Sequence, residues 1–245
     1  MASHDFRTPR LFVAADLSAG VEVALDHAQA NYLQNVLRLA AGAAVLVFNG
    51  RDGEWRATLA GAKRRASLRV EARTRPQLAA GDLAYAFVPL KHARLDYMVQ
   101  KAVEMGATAL TPLFTRHAQV SRVNLDRVRA NVIEAAEQCG VIALPRVDEP
   151  LPFVRWLAAL PPERVLIFCD EEAEIADPVA ALARAPAGPP TVLVGPEGGF
   201  AEPERRALLA RDRTVRLALG PRILRADTAA VAALALVQTA RGDWR

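Results

Sequence analysis

Cysteine is almost missing from this chain: Cys139 and Cys169 are the only two in 245 residues. Two thiols cannot build a disulfide scaffold or a four-cysteine zinc site. Histidine is scarce as well, and His4, His27, His92 and His117 show no ligand spacing. A resident metal is therefore not expected. No stretch approaches the ~20 apolar residues of a membrane span. Met1–Arg10 lacks the apolar core of a signal peptide. A cytoplasmic location without membrane contact is expected, with both cysteines reduced.

Several catalytic signatures are also missing. No Gly-Lys-Ser/Thr follows a glycine-rich loop, so a P-loop is excluded. The G-x-G-x-x-G spacing of dinucleotide folds does not occur at the glycine-rich loops, and neither holds a serine nucleophile elbow. The acidic run Asp170, Glu171, Glu172, Glu174 reads as a solvated loop rather than a metal site.

What is present is an ordinary globular composition, with 52% hydrophobic and 24% charged residues and a formal charge of +4. The excess charge lies in the first third. Residues 1–80 hold 11 Lys+Arg against 7 Asp+Glu, and the rest of the chain is balanced. The basic residues are overwhelmingly arginine, whose planar fork suits phosphate. The cluster includes Arg51, Arg56, Lys63, Arg64, Arg65, Arg69, Arg73 and Arg75. It reads either as a solvated face or as a nucleic-acid footprint.

Patterning divides the chain near Thr74–Gly81. Before it, short runs at 10–14, 21–25, 44–48, 54–59 and 67–72 have strand character, with one helix over 28–39. Asn49-Gly50 and Asp52-Gly53 are turn signals. Such spacing suggests a small β-barrel. After the divide, strands alternate with amphipathic helices. Strands are expected at 83–89, 109–114, 165–169, 191–194 and 215–219. Helices are expected at 92–105, 126–138, around Phe153–Leu160, at 178–184, from Pro203 to about Ala210, and at 228–240. Alternation of this kind implies a mostly parallel α/β sheet.

Two loops follow buried strands directly. One is Gly195-Pro196-Glu197-Gly198-Gly199-Phe200; the other runs Leu219-Gly220-Pro221-Arg222-Ile223-Leu224-Arg225-Ala226-Asp227-Thr228. Ligands of open α/β sheets bind beyond the carboxyl ends of the strands. With no phosphate cradle, a phosphate-free cofactor held by backbone groups fits best.

Together these loops resemble the paired signature of the RsmE family, bacterial 16S rRNA (uracil-N3)-methyltransferases of the SPOUT superfamily. Arg10–Val13, Asn31–Leu39 and Glu134–Gly140 extend the resemblance over nearly the whole chain. Tyr32, Val141, Ala201 and Asp227 depart from the family pattern. The resemblance implies a PUA-like RNA-binding barrel over 1–76. It implies a SPOUT Rossmann-like parallel sheet with a C-terminal trefoil knot over 77–245. It further implies S-adenosyl-L-methionine as cofactor, 16S rRNA within the small ribosomal subunit as partner, and a homodimer. The alanine-rich last helix, with Val231, Leu234 and Val237, suits either dimer packing or the chain's own core.

On this resemblance the cofactor contacts are expected at Leu193, Val194, Gly195, Pro196, Gly198, Gly199, Leu217, Leu219, Gly220, Ile223 and Leu224. Methylation of N3 needs a charge to stabilise the uracil anion and an acceptor for its proton. Arg225 is the candidate for the first, with Arg222 beside it. Asp227 or Glu197 is the candidate for the second, although Glu197 is equally suited to bracing its own loop. RNA contacts are expected at Arg10, Arg38, Lys63, Arg64, Arg65, Lys91 and Arg222. A non-catalytic RNA-binding protein on the same fold would have degraded cofactor loops, and these are intact.

Overall fold

The computed structural model describes residues 5, 7–61, 65–91, 93–173 and 177–244. The chain divides into two compact units. One is Met1–Ala79 with Ala136–Leu144, and the other is Ala80–Ala135 with Pro145–Arg245.

In the first unit, β1 (Arg10–Phe12), β2 (Glu22–Ala24), β3 (Ala44–Phe48), β4 (Glu54–Ala60) and β5 (Ser67–Arg75) form one sheet in the order β1-β3-β4-β5-β2. Its first pair is parallel and the rest antiparallel. The hydrogen-bonded path has two ends, β1 and β2, where a closed barrel would have none. Alternation buries one face: Val45, Val47, Ala57, Leu59, Leu68 and Val70 pack with Leu11, Val23 and Leu33. The β3–β4 turn works as its residues imply. Asn49 Oδ1 accepts from the backbone N–H groups of Arg51 and Asp52 at 3.0 and 2.9 Å. Gly53 has φ +86, and a Cβ there would lie 2.3 Å from the Arg75 carbonyl oxygen.

The single helix expected over 28–39 is shorter and changes pitch. Helix α1 (His27–Asn31) starts on a capping box between Asp26 and Gln29. It widens into a π-helical turn over Tyr32–Val36, closed by the bond from Leu37 N–H to Tyr32 O at 2.9 Å. Arg38 then takes the left-handed position, φ 55, that glycine usually fills after a helix, and Leu39 N–H returns to Leu33 O.

Segment 136–144 belongs to this first unit, which a single division at residue 76 does not anticipate. Glu137 accepts from the Phe12 N–H at 2.8 Å, and the Gly140 carbonyl accepts from Arg75 at 2.9 Å.

The second unit holds a parallel sheet in the order β12-β10-β11-β6-β7-β8. Its strands are β6 (Ala84–Phe87), β7 (Ala109–Phe114), β8 (Arg146–Val147), β10 (Val165–Cys169), β11 (Pro190–Val194) and β12 (Thr214–Leu217). The two-residue β9 (Leu151–Pro152) pairs with β7. Helices α2 (Ala93–Glu104), α3 (Leu125–Cys139), α4 (Phe153–Ala159), α5 (Pro178–Ala183), α6 (Glu202–Leu209) and α7 (Ala226–Arg241) connect or flank them. The apolar residues Val165–Phe168 of β10 and Val192–Val194 of β11 are buried, as parallel strands covered on both faces must be.

Phe153, Trp156, Phe168, Leu193 and Leu208 form one core cluster, with Phe200 packed against it. Helix α7 packs on α2, α5 and β11. Its small residues Ala229, Ala230 and Ala233 permit close approach, and Leu234 and Val237 are buried. Leu234 and Val237 therefore serve this chain's own core, while Val231 is partly exposed. No helix among the described residues is long and apolar enough to cross a membrane.

Candidate cofactor site

Strand β10 lies between β11 and β12, so the loops leaving β11 and β12 flank the carboxyl end of β10. A cavity of about 290 Å³ opens there. That is near the lower end of the ~300–1,000 Å³ range of small-molecule clefts. Val194, Gly195, Pro196 and Glu197 line one side; Leu217 through Leu224 line another; Cys169, Asp170, Glu171 and Ala173 follow β10; Ala226 and Ala229 come from α7.

The walls divide into apolar and acidic parts. Val194, Leu217, Leu219, Leu224 and Ala229 offer a surface for a flat apolar group. Glu171 and Glu197 offer carboxylates, and the glycines offer backbone groups. Asp170 is buried and committed: Arg205 donates to it at 3.0 Å and Arg216 at 2.6 Å. The expected solvated acidic loop is thus anchored at its first residue by ion pairs. Glu174 lies outside the described residues. Among the described residues, no group of His, Cys, Asp or Glu is arranged to hold a metal. Burial, aided by the Asp170 charge, pushes the Cys169 thiol up to about 12, so it stays protonated and inert.

Beside the cavity lies an ionic cluster whose centre, Arg94, sequence reasoning missed. Arg94 Nε and Nη2 donate to the two oxygens of Asp227 at 3.0 and 3.2 Å, and Nη1 donates to Glu197. Gln119 reaches the other Glu197 oxygen at 3.4 Å. These hydrogen bonds hold both carboxyls below the ordinary range and raise the Arg94 guanidinium. The signal available in sequence was a basic residue at a strand-to-helix junction, Lys91 to Arg94, on the same sheet edge as the loops.

Residues 77–238 match a family model described as an RNA methyltransferase domain, and residues 25–71 match one described as an RNA methyltransferase PUA domain. The chain belongs to the RsmE family of RNA methyltransferases. A ribosomal RNA small subunit methyltransferase E from Synechocystis sp. is 32% identical over 93% of this chain and 76% of its own length. The protein of that name from Rickettsia conorii is 29% identical over 94% of each chain. A crystal structure of ribosomal RNA small subunit methyltransferase E from Neisseria gonorrhoeae, bound to S-adenosyl methionine, superposes with a TM-score of 0.84. It is 28% identical and covers 98% of this chain and 100% of that one.

In this RsmE-family chain, most of the expected cofactor residues line the cavity: Val194, Gly195, Pro196, Leu217, Leu219, Gly220, Ile223 and Leu224. Leu193 does not; it points into the core below. Gly198 and Gly199 stand back from the cavity, where both carbonyls meet His117 Nδ1 at 3.2 Å. Gly199, at φ +67, also makes room for Glu171, whose Oε1 lies 2.8 Å from where a Cβ would be. Arg225 is exposed at the cap of α7, and its charge helps depress Glu197. Arg222 is exposed on the cavity wall.

The remaining basic positions separate. Arg38, Arg65 and Lys91 are exposed. Lys63 and Arg64 lie outside the described residues, as does His92. Arg10 is corrected: it is 6% exposed and paired with the equally buried Glu54 at 3.0 Å. A guanidinium enclosed in this way is a structural anchor and presents no face to a phosphate.

Proposed function

We propose that this protein is an S-adenosylmethionine-dependent methyltransferase acting on N3 of one uridine of 16S rRNA, near the decoding centre of the small ribosomal subunit. The observation that carries the reading is the cavity built by two glycine-rich loops at the ends of β11 and β12. Its lining suits that donor: apolar walls for the adenine, backbone groups for hydrogen bonding, and the Glu171 carboxylate for its cationic groups. The bound donor in the Neisseria relative supports the same assignment.

When bound, the donor supplies a methyl group activated by the sulfonium charge. The protein's own residues then have three tasks. Val194, Leu219 and Leu224 hold the donor and exclude water. Arg225, exposed beside Glu197, is placed to stabilise the negative charge that spreads onto the uracil carbonyl oxygens as N3 loses its proton. Arg38, Arg65, Lys91 and Arg222 contact RNA phosphates, with Lys63 and Arg64 assigned there from their charge alone. N3 exchanges one proton for one methyl, and the proton passes to solvent. Positioning and electrostatics supply the rate.

The finer architecture is part of the same proposal: residues 1–76 as a PUA-like RNA-binding domain and 77–245 as the catalytic domain. A C-terminal trefoil knot belongs to the same proposal, supported by the family match over residues 77–238. A homodimer is supported by the exposed Ile223 and Tyr97, and a cytoplasmic location by the ribosomal RNA methyltransferase name of the relatives.

The test is primer extension along 16S rRNA from subunits lacking the modification, after incubation with the protein and S-adenosylmethionine. N3 methylation blocks base pairing and gives one new stop at a uridine. Methyl incorporation without a stop refutes the N3 assignment, and no incorporation on subunits or naked RNA refutes the enzyme.

A further inference from the structure

Arg94 stands in the first turn of α2, on neither glycine-rich loop, yet its guanidinium reaches both. It donates twice to Asp227, at 3.0 and 3.2 Å, and once to Glu197. Glu197 follows β11 and lines the cavity. Asp227 opens α7, directly after Ala226, which lines it too. Gln119, in the loop after β7, holds the second Glu197 oxygen. A guanidinium offers five donors in a rigid fork, and here three of them bind two loops that meet only in the folded chain.

We propose that Arg94 is a positioning residue that ties the two cofactor loops together and holds the cavity in its binding-competent shape. The inference rests on the reading that this cavity takes S-adenosylmethionine. The second loop needs such a tie, since Arg222 and Arg225 are exposed and Ile223 is 93% exposed. A loop ordered before the ligand arrives spares the binding step that entropy.

The tie also reassigns the two carboxylates. A general base works best when its pKa is raised toward the working pH. Arg94 does the reverse, holding Glu197 and Asp227 below the ordinary carboxylate range. Both are therefore anchors for the guanidinium and poor proton acceptors. A lysine at 94 would bring one point charge in place of the fork and could not give Asp227 its two parallel bonds while holding Glu197.

The experiment is calorimetric titration of S-adenosylmethionine into the full-length chain, paired with turnover at saturating donor. Wild type, Arg94→Ala, Arg94→Lys, Glu197→Gln, Asp227→Asn and the double variant Arg94→Ala/Asp227→Asn are compared. Arg94→Ala is expected to raise Kd about tenfold or more, as loss of charge-assisted bonds does. Arg94→Lys should fall between it and wild type. The double variant should bind within about twofold of Arg94→Ala, because both changes break the same tie. Arg94 is partly exposed, so the variants should fold; a melting curve checks this, and Glu197→Gln tests the tie from its other end.

Wild-type affinity in Arg94→Ala overturns the inference. So do losses that multiply in the double variant, or a fall of hundredfold or more in saturated turnover for Glu197→Gln or Asp227→Asn, which would mark a base. A wild-type chain that binds no donor overturns the cofactor reading, and this inference with it.

Discussion

Gly195 provides the sharpest test of how the cofactor loop is built. Its backbone φ lies outside the left-handed region, so its requirement is space alone. A Cβ there would lie 2.6 Å from Phe200 Cε2, 3.0 Å from Cδ2 and 3.3 Å from Cζ. Ordinary carbon contacts begin near ~3.5 Å, so the ring must retreat by about 1 Å. Two neighbouring rings oppose that retreat. The Phe200 centroid is 5.4 Å from those of both Phe153 and Phe168, and the cluster is part of the sheet's core. Overpacking of this kind costs about 1–3 kcal/mol. At about 2–4 °C per kcal/mol for a chain of this size, Gly195→Ala should lower Tm by about 2–12 °C. Gly195 also lines the cavity between Val194 and Pro196, so donor affinity should fall in the same variant. Phe200→Leu frees the space: Gly195→Ala/Phe200→Leu should be more stable than the two single losses added together. Differential scanning fluorimetry and calorimetric titration read both effects. Gly195→Ala melting and binding like wild type would refute the reasoning, because the contact would then have slack that the packing denies.

Two further outcomes follow from buried polar groups. Burial would raise the Glu54 carboxyl, but hydrogen bonds from Arg75, Thr74 and Arg10 outweigh it and hold its pKa below the ordinary 4.5. Its contribution is therefore present above the unfolded-state value and lost as pH falls through the lower folded value. Glu54→Gln removes the carboxylate both arginines share and should cost about 3–5 kcal/mol at pH 7. In urea titrations the gap from wild type should narrow as pH drops below that value, and a gap indifferent to pH sinks the argument. The Tyr85 hydroxyl is fully buried with no hydrogen-bond partner among the described residues, and burial raises its pKa well above the ordinary value, with the Asp227 charge adding to it. Tyr85→Phe should stabilise the chain by about 1 kcal/mol, read as a higher Tm; a lower one would mean that the hydroxyl is satisfied.

Elements with strong local patterns were legible in the sequence. The continuous apolar runs of β3 and β10 and the strand pattern of β7 end where the composition says they end. The two glycine-rich loops were legible because strand ends, glycines and missing phosphate signals are all local facts. The illegible elements are those whose causes are distant in sequence. Strands β8 and β9 have two residues each, too few for any periodicity, and exist only because β7 offers partners. Helix α3 reads as one amphipathic run, so nothing local marks its last turn as belonging to the first unit.

Charged residues show the same division more sharply. Sequence supplies the sign of a side chain but not its partner, and the partner decides the role. Arg10 lies in a basic third of the chain and reads as a phosphate contact, yet a carboxylate 44 residues on encloses it. Glu197 and Asp227 read as candidate proton acceptors because they stand in the cofactor loops, with Glu197 equally suited to bracing its own loop. One guanidinium, 103 residues before the first and 133 before the second, makes them acceptors of hydrogen bonds instead. A base needs an environment that disfavours its charge; this environment favours it. On the function proposed above, that contrast puts the chemistry of the site in how the loops are held and in the arginine charge beside them.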